Sequence, residues 1–375
     1  MDLTKATIER KGLKKALRKV SGNNVIADYY KNISERTGTG EARAEAVRNC
    51  LKVWDIDYYR LQKVKDVLRV NLCHDKFCPN CQNLISKARY AKYRPELDKL
   101  LNDYSIYHVV FTVPNCKGET LKTTLTKMYT KYVYVIQYLQ GKRKCKGIDF
   151  LKYGFVGAVR SLEITTTAKT TRPDDLEYHP HFHCLFVLKK NIREEKKYLN
   201  DFSFTVKQKR HREADKRFFN DFEILLQKSW YLFFNDKKFT KKAFDELQQG
   251  YSVYAERVNG NYKEVFKYAV KGLYDPKTGS FNYPQEVFEI LYDALHRRKI
   301  IQGYGLLNKF TFEDDLEVNE AEDIYNEIIQ ELKKIEDPLR FYARLNEIVS
   351  DFDENEDIIY ISKKKSVKLI EEREK

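Results

Sequence analysis

The alternation of apolar and polar positions divides the chain into stretches typical of strands and stretches typical of helices. Aromatic and β-branched residues dominate residues 104–114, and similar patterns predict strands at 153–167, 179–188 and 251–258. One long stretch, 120–140, has apolar residues every three or four positions, which predicts a helix. Its apolar stripe consists of Leu121, Leu125, Met128, Tyr132, Val135 and Leu139.

Strands interleaved with helices, two of them able to pair antiparallel, predict an α+β fold with one sheet and helices on one face. Residues 190–240 are charged and aromatic, and we predict that they are mainly helical. Four successive segments are expected. They are a basic arm (1–45), a cysteine-containing and helical segment (46–103), a core (104–310) and an acidic helical C-terminal region (311–375).

The distribution of charged residues along the chain indicates what kind of partner it binds. The chain has 375 residues and a formal net charge of +14, but residues 311–357 contain 17 acids and only 4 bases. Residues 1–310 therefore carry +24, which favours a polyanionic partner such as nucleic acid and salt-sensitive binding. There is no apolar run of 18 residues and no secretory signal pattern, so we expect a cytoplasmic protein without a membrane partner.

Three of the seven histidines lie within five residues, in the sequence His179-Pro180-His181-Phe182-His183. On a strand all three imidazoles point to one face, and two at positions i and i+2 can share a metal ion. Glu163 lies inside an apolar strand, where an unpaired carboxylate is costly, so it is a candidate further ligand. Imidazole and carboxylate ligands suit Mg²⁺ or Mn²⁺. A solvent-exposed, histidine-rich strand end is the alternative.

A second group lies on a helix predicted over residues 261–273. At 100° per residue, Glu264, Tyr268 and Lys271 share the polar face, opposite an apolar face that begins with Val265 and Phe266. A tyrosine hydroxyl has a pKa near 10 and needs a neighbouring cation or metal to act as a nucleophile. A carboxylate beside it could activate water. An inert surface tyrosine is the alternative in a chain with 27 tyrosines.

Four cysteines form the third group, namely Cys50, Cys73, Cys78 and Cys81. Their spacing, which ends in a C-x-x-C knuckle, predicts a closed tetrahedral zinc site that would contribute to folding. His74 could replace one thiolate. A C-x-x-C redox motif is the alternative, although no βαβ pattern surrounds it.

The order of these motifs resembles a known family. The cysteine cluster is followed by FTVPN (111–115), SLEIT (161–165), HPHFH (179–183) and then E-x-x-x-Y-x-x-K (264–271). Over about residues 45–310 this order is similar to that of the rolling-circle replication initiators (Rep) of Gram-positive bacterial plasmids, which belong to the HUH endonuclease superfamily.

The resemblance implies a central antiparallel sheet, with the histidine strand in its middle and the tyrosine helix laid across it. It implies that Glu163, His181 and His183 bind the catalytic metal, although His179 could exchange with one of the histidines. It further implies that Tyr268 is the nucleophile, which forms a 5′-phosphotyrosine link. Glu264 would activate the water that releases the protein, and Lys271 would stabilise phosphate or phenolate charge.

The expected partner is plasmid origin DNA, both double-stranded and single-stranded, with a host helicase and a second copy of the chain as further candidates. Basic segments with interleaved aromatics, at 86–94, 196–212 and 296–299, can contact phosphates and stack on unpaired bases, and the charge of +24 predicts that some of them do. For each segment taken alone, a solvated surface is the alternative. Two alternatives remain open. One is another HUH enzyme, either a single-tyrosine transposase or a relaxase, and the other is a non-catalytic zinc-containing DNA-binding regulator.

Overall fold

The computed structural model describes residues 8, 10–166, 176–189, 198–201, 216–248, 250–266, 282–309, 321–355 and 357–362. The chain divides into two compact units. The first unit comprises residues 1–88, 272–282 and 314–375, and the second comprises residues 89–271 and 283–313. Within the part of the chain that is described, no helix is long and apolar enough to cross a membrane.

The described residues form nine α-helices and eleven strands. The helices are α1 (Arg10–Thr37), α2 (Glu41–Arg48), α3 (Pro79–Leu100), α4 (Gly118–Leu139), α5 (Asp221–Phe234), α6 (Lys241–Glu246), α7 (Gln285–Leu295), α8 (Ala321–Ile335) and α9 (Leu345–Glu354). The strands are β1 (Val53–Tyr59), β2 (Val64–Val70), β3 (Tyr104–Thr112), β4 (Phe155–Thr166), β5 (Tyr178–Lys189), β6 (Tyr198–Asp201), β7 (Lys216–Phe219), β8 (Val253–Arg257), β9 (Ile301–Gly305), β10 (Leu339–Arg344) and β11 (Ile359–Ser362).

The first unit contains a four-stranded sheet that was not predicted, in the order β10-β1-β2-β11. Strand β11 runs parallel to β2, and the other neighbours are antiparallel. Acidic residues alternate with apolar ones in β1 (VWDIDYY), so its strand pattern is hard to distinguish from that of a polar loop. The acidic C-terminal region, which we predicted as a helical appendage, supplies two strands of this sheet in addition to helices α8 and α9.

Two helices precede this sheet. Helix α1 ends at Thr37, where Gly38 adopts a left-handed conformation with φ +71° and donates its backbone N–H to the carbonyl of Ser34 at 2.7 Å. Glycine is favoured at such a helix end because it has no Cβ to strain. The helical path therefore breaks after Thr37, and α2 begins at Glu41.

The second unit is built on a five-stranded antiparallel sheet in the order β8-β3-β5-β4-β9. All four strands predicted from the apolar pattern belong to it. The histidine strand β5 is the middle strand, as the resemblance implied. The alternation of side chains along β5 places its three histidines on one face, which Leu185 and Val187 continue, and places Phe182 and Cys184 on the other face.

Helices cover both faces of this sheet. On the face opposite the histidines, Phe182 packs edge-on against Tyr132 of α4, and all six residues of the predicted apolar stripe of α4 are buried. On the histidine face, Leu185 and Val187 pack in one core with Tyr93 and Leu97 of α3. The prediction that helices cover only one face was therefore wrong, because α3 also contributes large apolar residues to the core.

Residues 190–240 were predicted to be mainly helical, but their described parts, 198–201 and 216–240, contain two short strands as well as a helix. The described parts of this segment include the hairpin of β6 and β7, in which Tyr198 pairs with Phe219. Helix α5 follows, and it begins with a capping box between Asn220 and Glu223. Basic residues adjoin aromatic residues in β7 (KRFF), so the charged composition conceals a short strand.

Candidate functional site

The register of β4 against β5 brings the predicted metal ligands together. Glu163 lies directly opposite His181, and His183 is two residues further along the same face. The Oε2 atom of Glu163 lies 2.7 Å from Nε2 of His181 and 2.7 Å from Nε2 of His183. The three ligand atoms lie within 4.8 Å of one another, so these side chains could hold one metal ion.

The opposite edge of each imidazole is also held. Nδ1 of His181 lies 3.1 Å from the carbonyl oxygen of His179, and Nδ1 of His183 lies 2.9 Å from Nε2 of His108 on β3. Both metal-ligand candidates therefore present Nε2 to the carboxylate. Metal-binding histidines typically show this arrangement, in which the second ring nitrogen is fixed by a neighbour.

His179 does not belong to the group that could share an ion. Its ring centroid lies 5.3 Å from that of His181, and the two planes are tilted by 41°. Burial, followed by the nearby His181, lowers the pKa of His179, which favours a neutral ring. The described residues thus give Glu163, His181 and His183 as the candidate ligand set.

Electrostatics also suit a cation at this position. Burial alone raises the pKa of Glu163, but the hydrogen bonds from His181 and His183 outweigh burial and hold the pKa well below its usual range. The carboxylate is therefore ionised, although its side chain is only 10% exposed. One carboxylate and two imidazoles fit a divalent ion that keeps further positions for water or substrate oxygens.

The four predicted cysteines form a separate, compact cluster in the first unit. The sulfur of Cys50 lies 3.5 Å from the sulfurs of Cys81 and Cys78, and that of Cys73 lies 3.6 Å from Cys81. Sulfurs bound at about 2.3 Å to a tetrahedral zinc are roughly 3.8 Å apart, whereas a disulfide bond is about 2.0 Å long. All four are free thiols, and their spacing fits a shared metal ion.

The environment of the cluster supports thiolate ligands. The backbone N–H of His74 donates to the sulfur of Cys81 at 3.2 Å, while His74 itself is exposed, has φ +53° and is not among the grouped ligands. Burial raises the pKa of Cys78, and hydrogen bonds from the other three cysteines lower the pKa of Cys81. Four thiolates packed this closely need a bound cation to balance their charge.

A buried carboxylate missed by sequence reasoning supports the cysteine loop. The side chain of Asp75 accepts hydrogen bonds from the hydroxyl of Tyr30 at 2.9 Å and from the backbone N–H of Phe77 at 2.8 Å. It also forms an ion pair with Arg43 at 2.6 Å. Tyr30 belongs to α1 and Arg43 to α2, so Asp75 attaches both N-terminal helices to the loop that carries the cysteines.

The third predicted group is only partly within the described residues. Tyr268 and Lys271 lie outside them. Glu264 lies on a short 3-10 helix at Lys263–Phe266 and is exposed, whereas Val265 and Phe266 are buried. This agrees with the predicted polar face for Glu264 and the predicted apolar face for the other two. Phe266 stacks on Tyr93 with ring centroids 5.2 Å apart, which fixes the chain two residues before Tyr268.

The three basic segments predicted to contact DNA differ in how exposed their side chains are and in how much of each is described. Tyr93, in segment 86–94, is 1% exposed and packs in the core, so the prediction that it stacks on DNA bases was wrong. Segment 196–212 is described only at 198–201. In segment 296–299, His296, Arg297 and Lys299 are exposed after α7 and can present positive charge to a phosphate chain.

The fold and the site together define a protein with a carboxylate–histidine candidate metal centre on an antiparallel sheet and a separate four-cysteine cluster. A family model described as "Replication protein" matches residues 64–212, a range that includes Glu163, His181 and His183. A "Protein rep" of Bacillus amyloliquefaciens is 27% identical over 200 residues, which is 51% of this chain. A "Protein rep" of a Bacillus species is 24% identical over 304 residues, which is 80% of this chain. No solved structure gives a significant match.

The resemblance drawn from the motifs is confirmed, in that the chain is similar to replication proteins and to two Bacillus proteins named "Protein rep". The aligned region spans 53% of the length of the first relative and 89% of the length of the second.

Proposed function

We propose that the chain is a rolling-circle initiator that nicks and rejoins single-stranded DNA at a plasmid origin. The observation that carries this proposal is the convergence of Glu163, His181 and His183 on two neighbouring strands, in a chain related to replication proteins. A DNA-binding regulator has no need for an ionised, nearly buried carboxylate held between two imidazoles. The strongly positive body of the chain suits DNA as the substrate.

The proposed nucleophile is Tyr268, which follows the buried Phe266 by two residues. Its phenolic oxygen loses a proton and attacks phosphorus, so that a P–O bond to tyrosine forms while the P–O3′ bond breaks. The departing oxygen gains a proton and becomes a free 3′-OH primer, and the 5′ phosphate stays on Tyr268. Glu163, His181 and His183 would hold a Mn²⁺ or Mg²⁺ ion, which would supply positive charge to polarise the scissile phosphate.

Two neighbours on the predicted helix complete the proposed chemistry. Glu264 is exposed, so its carboxylate is accessible to a water molecule that hydrolyses the phosphotyrosine link at termination. Lys271 would place an ammonium near the phenolate and the phosphate. The four cysteines would hold a structural zinc ion in the first unit, because four clustered thiolate ligands are typical of a closed zinc site.

The proposed partners follow from this role. The chain would bind double-stranded origin DNA and then the single strand that it cuts, in the cytoplasm. A host helicase and a second copy of the chain are the further proposed partners.

The test uses single-stranded oligonucleotides that tile the plasmid encoding the chain, labelled at the 3′ end and incubated with Mn²⁺ and the full-length protein. We expect a labelled covalent adduct with the wild type and none with Tyr268→Phe, which should still bind duplex origin DNA. Tyr254→Phe, on β8, is the matched control and should form the adduct. An adduct that persists in Tyr268→Phe would refute the nucleophile, and no adduct with the wild type would favour the regulator.

A further inference from the structure

A fourth histidine, His108, reaches the candidate metal centre from β3. Its Nε2 lies 2.9 Å from Nδ1 of His183, and the two rings are nearly parallel, with an interplanar angle of 7° and centroids 5.1 Å apart. In the antiparallel register Val110 lies opposite His183, so His108, two residues earlier, projects from the same face of the sheet. His108 lies outside every motif noted in the sequence.

The chemistry of a metal-bound imidazole explains why this contact matters. When Nε2 binds a metal ion, the neutral ring carries its proton on Nδ1, and that N–H needs an acceptor. His181 finds its acceptor in the carbonyl oxygen of His179, which belongs to the backbone. His183 instead directs Nδ1 at a side chain, the imidazole of His108, and a side chain can be replaced by mutation.

We propose that His108 is a positioning residue for the metal centre. Its Nε2 accepts the Nδ1–H of His183 and thereby selects the tautomer and the ring orientation that aim Nε2 of His183 at the ion beside Glu163. The His183 side chain is only 13% exposed, so water replaces the lost acceptor poorly. The inference rests on the proposed metal-dependent function, but it concerns metal binding and not strand cleavage.

The test measures Mn²⁺ binding to the full-length, zinc-loaded protein without DNA, using the electron paramagnetic resonance signal of free Mn²⁺. Mn²⁺ prefers nitrogen and oxygen ligands, so it leaves the cysteine cluster undisturbed. His108→Leu removes the acceptor, and His108→Gln places an amide oxygen near the position of Nε2. Because loss of such an outer partner typically weakens binding 10–100-fold, we expect about 10-fold weaker binding or more for His108→Leu, and recovery to within about threefold of wild type for His108→Gln.

Asn102→Leu is the control. It replaces an exposed polar side chain just before β3 with leucine and should leave Mn²⁺ affinity unchanged. Wild-type affinity in His108→Leu would overturn the proposal, and so would equal weakening in His108→Leu and His108→Gln, since the acceptor would then not be the determinant. A wild-type protein that binds Mn²⁺ but never nicks DNA would refute the proposed function while leaving the role of His108 intact.

Discussion

Replacement of Asp75 by alanine probes how strongly the N-terminal helices depend on the cysteine loop. The Asp75 side chain is 1% exposed and accepts hydrogen bonds from Tyr30, Arg43 and the backbone N–H of Phe77. In Asp75→Ala the buried hydroxyl of Tyr30 and the N–H of Phe77 lose their acceptor, and Arg43 loses its counter-charge. The loop and both helices would then be held mainly by apolar packing and by the metal ion.

The size of the effect follows from burial. Hydrogen bonds to a charged group contribute about 1.5–3 kcal/mol each. The full sum does not apply here, because the Arg43 side chain is 52% exposed and regains water when it is freed. The hydrogen bonds from Tyr30 and from the backbone N–H of Phe77 therefore dominate, and we expect Asp75→Ala to lower the free energy of unfolding by about 3 kcal/mol or more.

Asp28→Ala is the matched control in the same unit. Asp28 also pairs with an arginine, Arg48, at 2.7 Å, but the two side chains are 60% and 36% exposed. An exposed pair of this kind contributes about 1 kcal/mol or less. The assay is urea unfolding of the zinc-loaded protein, together with the rate at which a thiol reagent modifies the cysteines. A loss in Asp75→Ala no larger than that in Asp28→Ala would refute the reasoning.

Two further predictions address the zinc cluster and the acidic region. Cys78→Ser should lose the single zinc ion per chain that elemental analysis is expected to find, whereas Cys145→Ser, outside the cluster, should keep it. Equal zinc content in both variants would contradict the four-cysteine site. Glu327→Gln with Glu331→Gln removes two exposed charges from α8 and should strengthen non-specific DNA binding at low salt, measured by fluorescence anisotropy. Unchanged binding would show that the acidic region does not repel DNA.

Four of the five strands of the second unit's sheet could be predicted because they have a clear apolar pattern, whereas the short strand β9 was not predicted. Strands β4 and β5 follow one another along the chain, and the apolar positions of α4 identify its buried face. Glu163 could be predicted as a ligand because a carboxylate inside an apolar strand requires a partner. In each case the determining information lies within one segment of the sequence.

The features that could not be predicted depend on contacts between distant segments. His108 is an isolated histidine in an apolar strand, and only the register of β3 against β5 shows that it reaches His183. Asp75 gains its partners from α1 and α2, more than 30 residues earlier in the chain. Tyr93 was expected to be exposed because basic residues surround it, but the packing of α3 on the sheet buries it.

The sheet of the first unit also has a consequence for how the protein is made. Its two outer strands, β10 and β11, lie at 339–344 and 359–362, whereas the inner strands β1 and β2 lie at 53–70. During synthesis the inner strands emerge first and can pair with each other, but the first outer strand, β10, begins roughly 270 positions after the end of β2. A chain interrupted after β9 would contain all five strands of the second unit's sheet together with Glu163, His181 and His183, yet would lack both edges of the first unit's sheet. The two sheets therefore differ in when they can form, since the four-stranded sheet stays incomplete until residues 359–362 have been made.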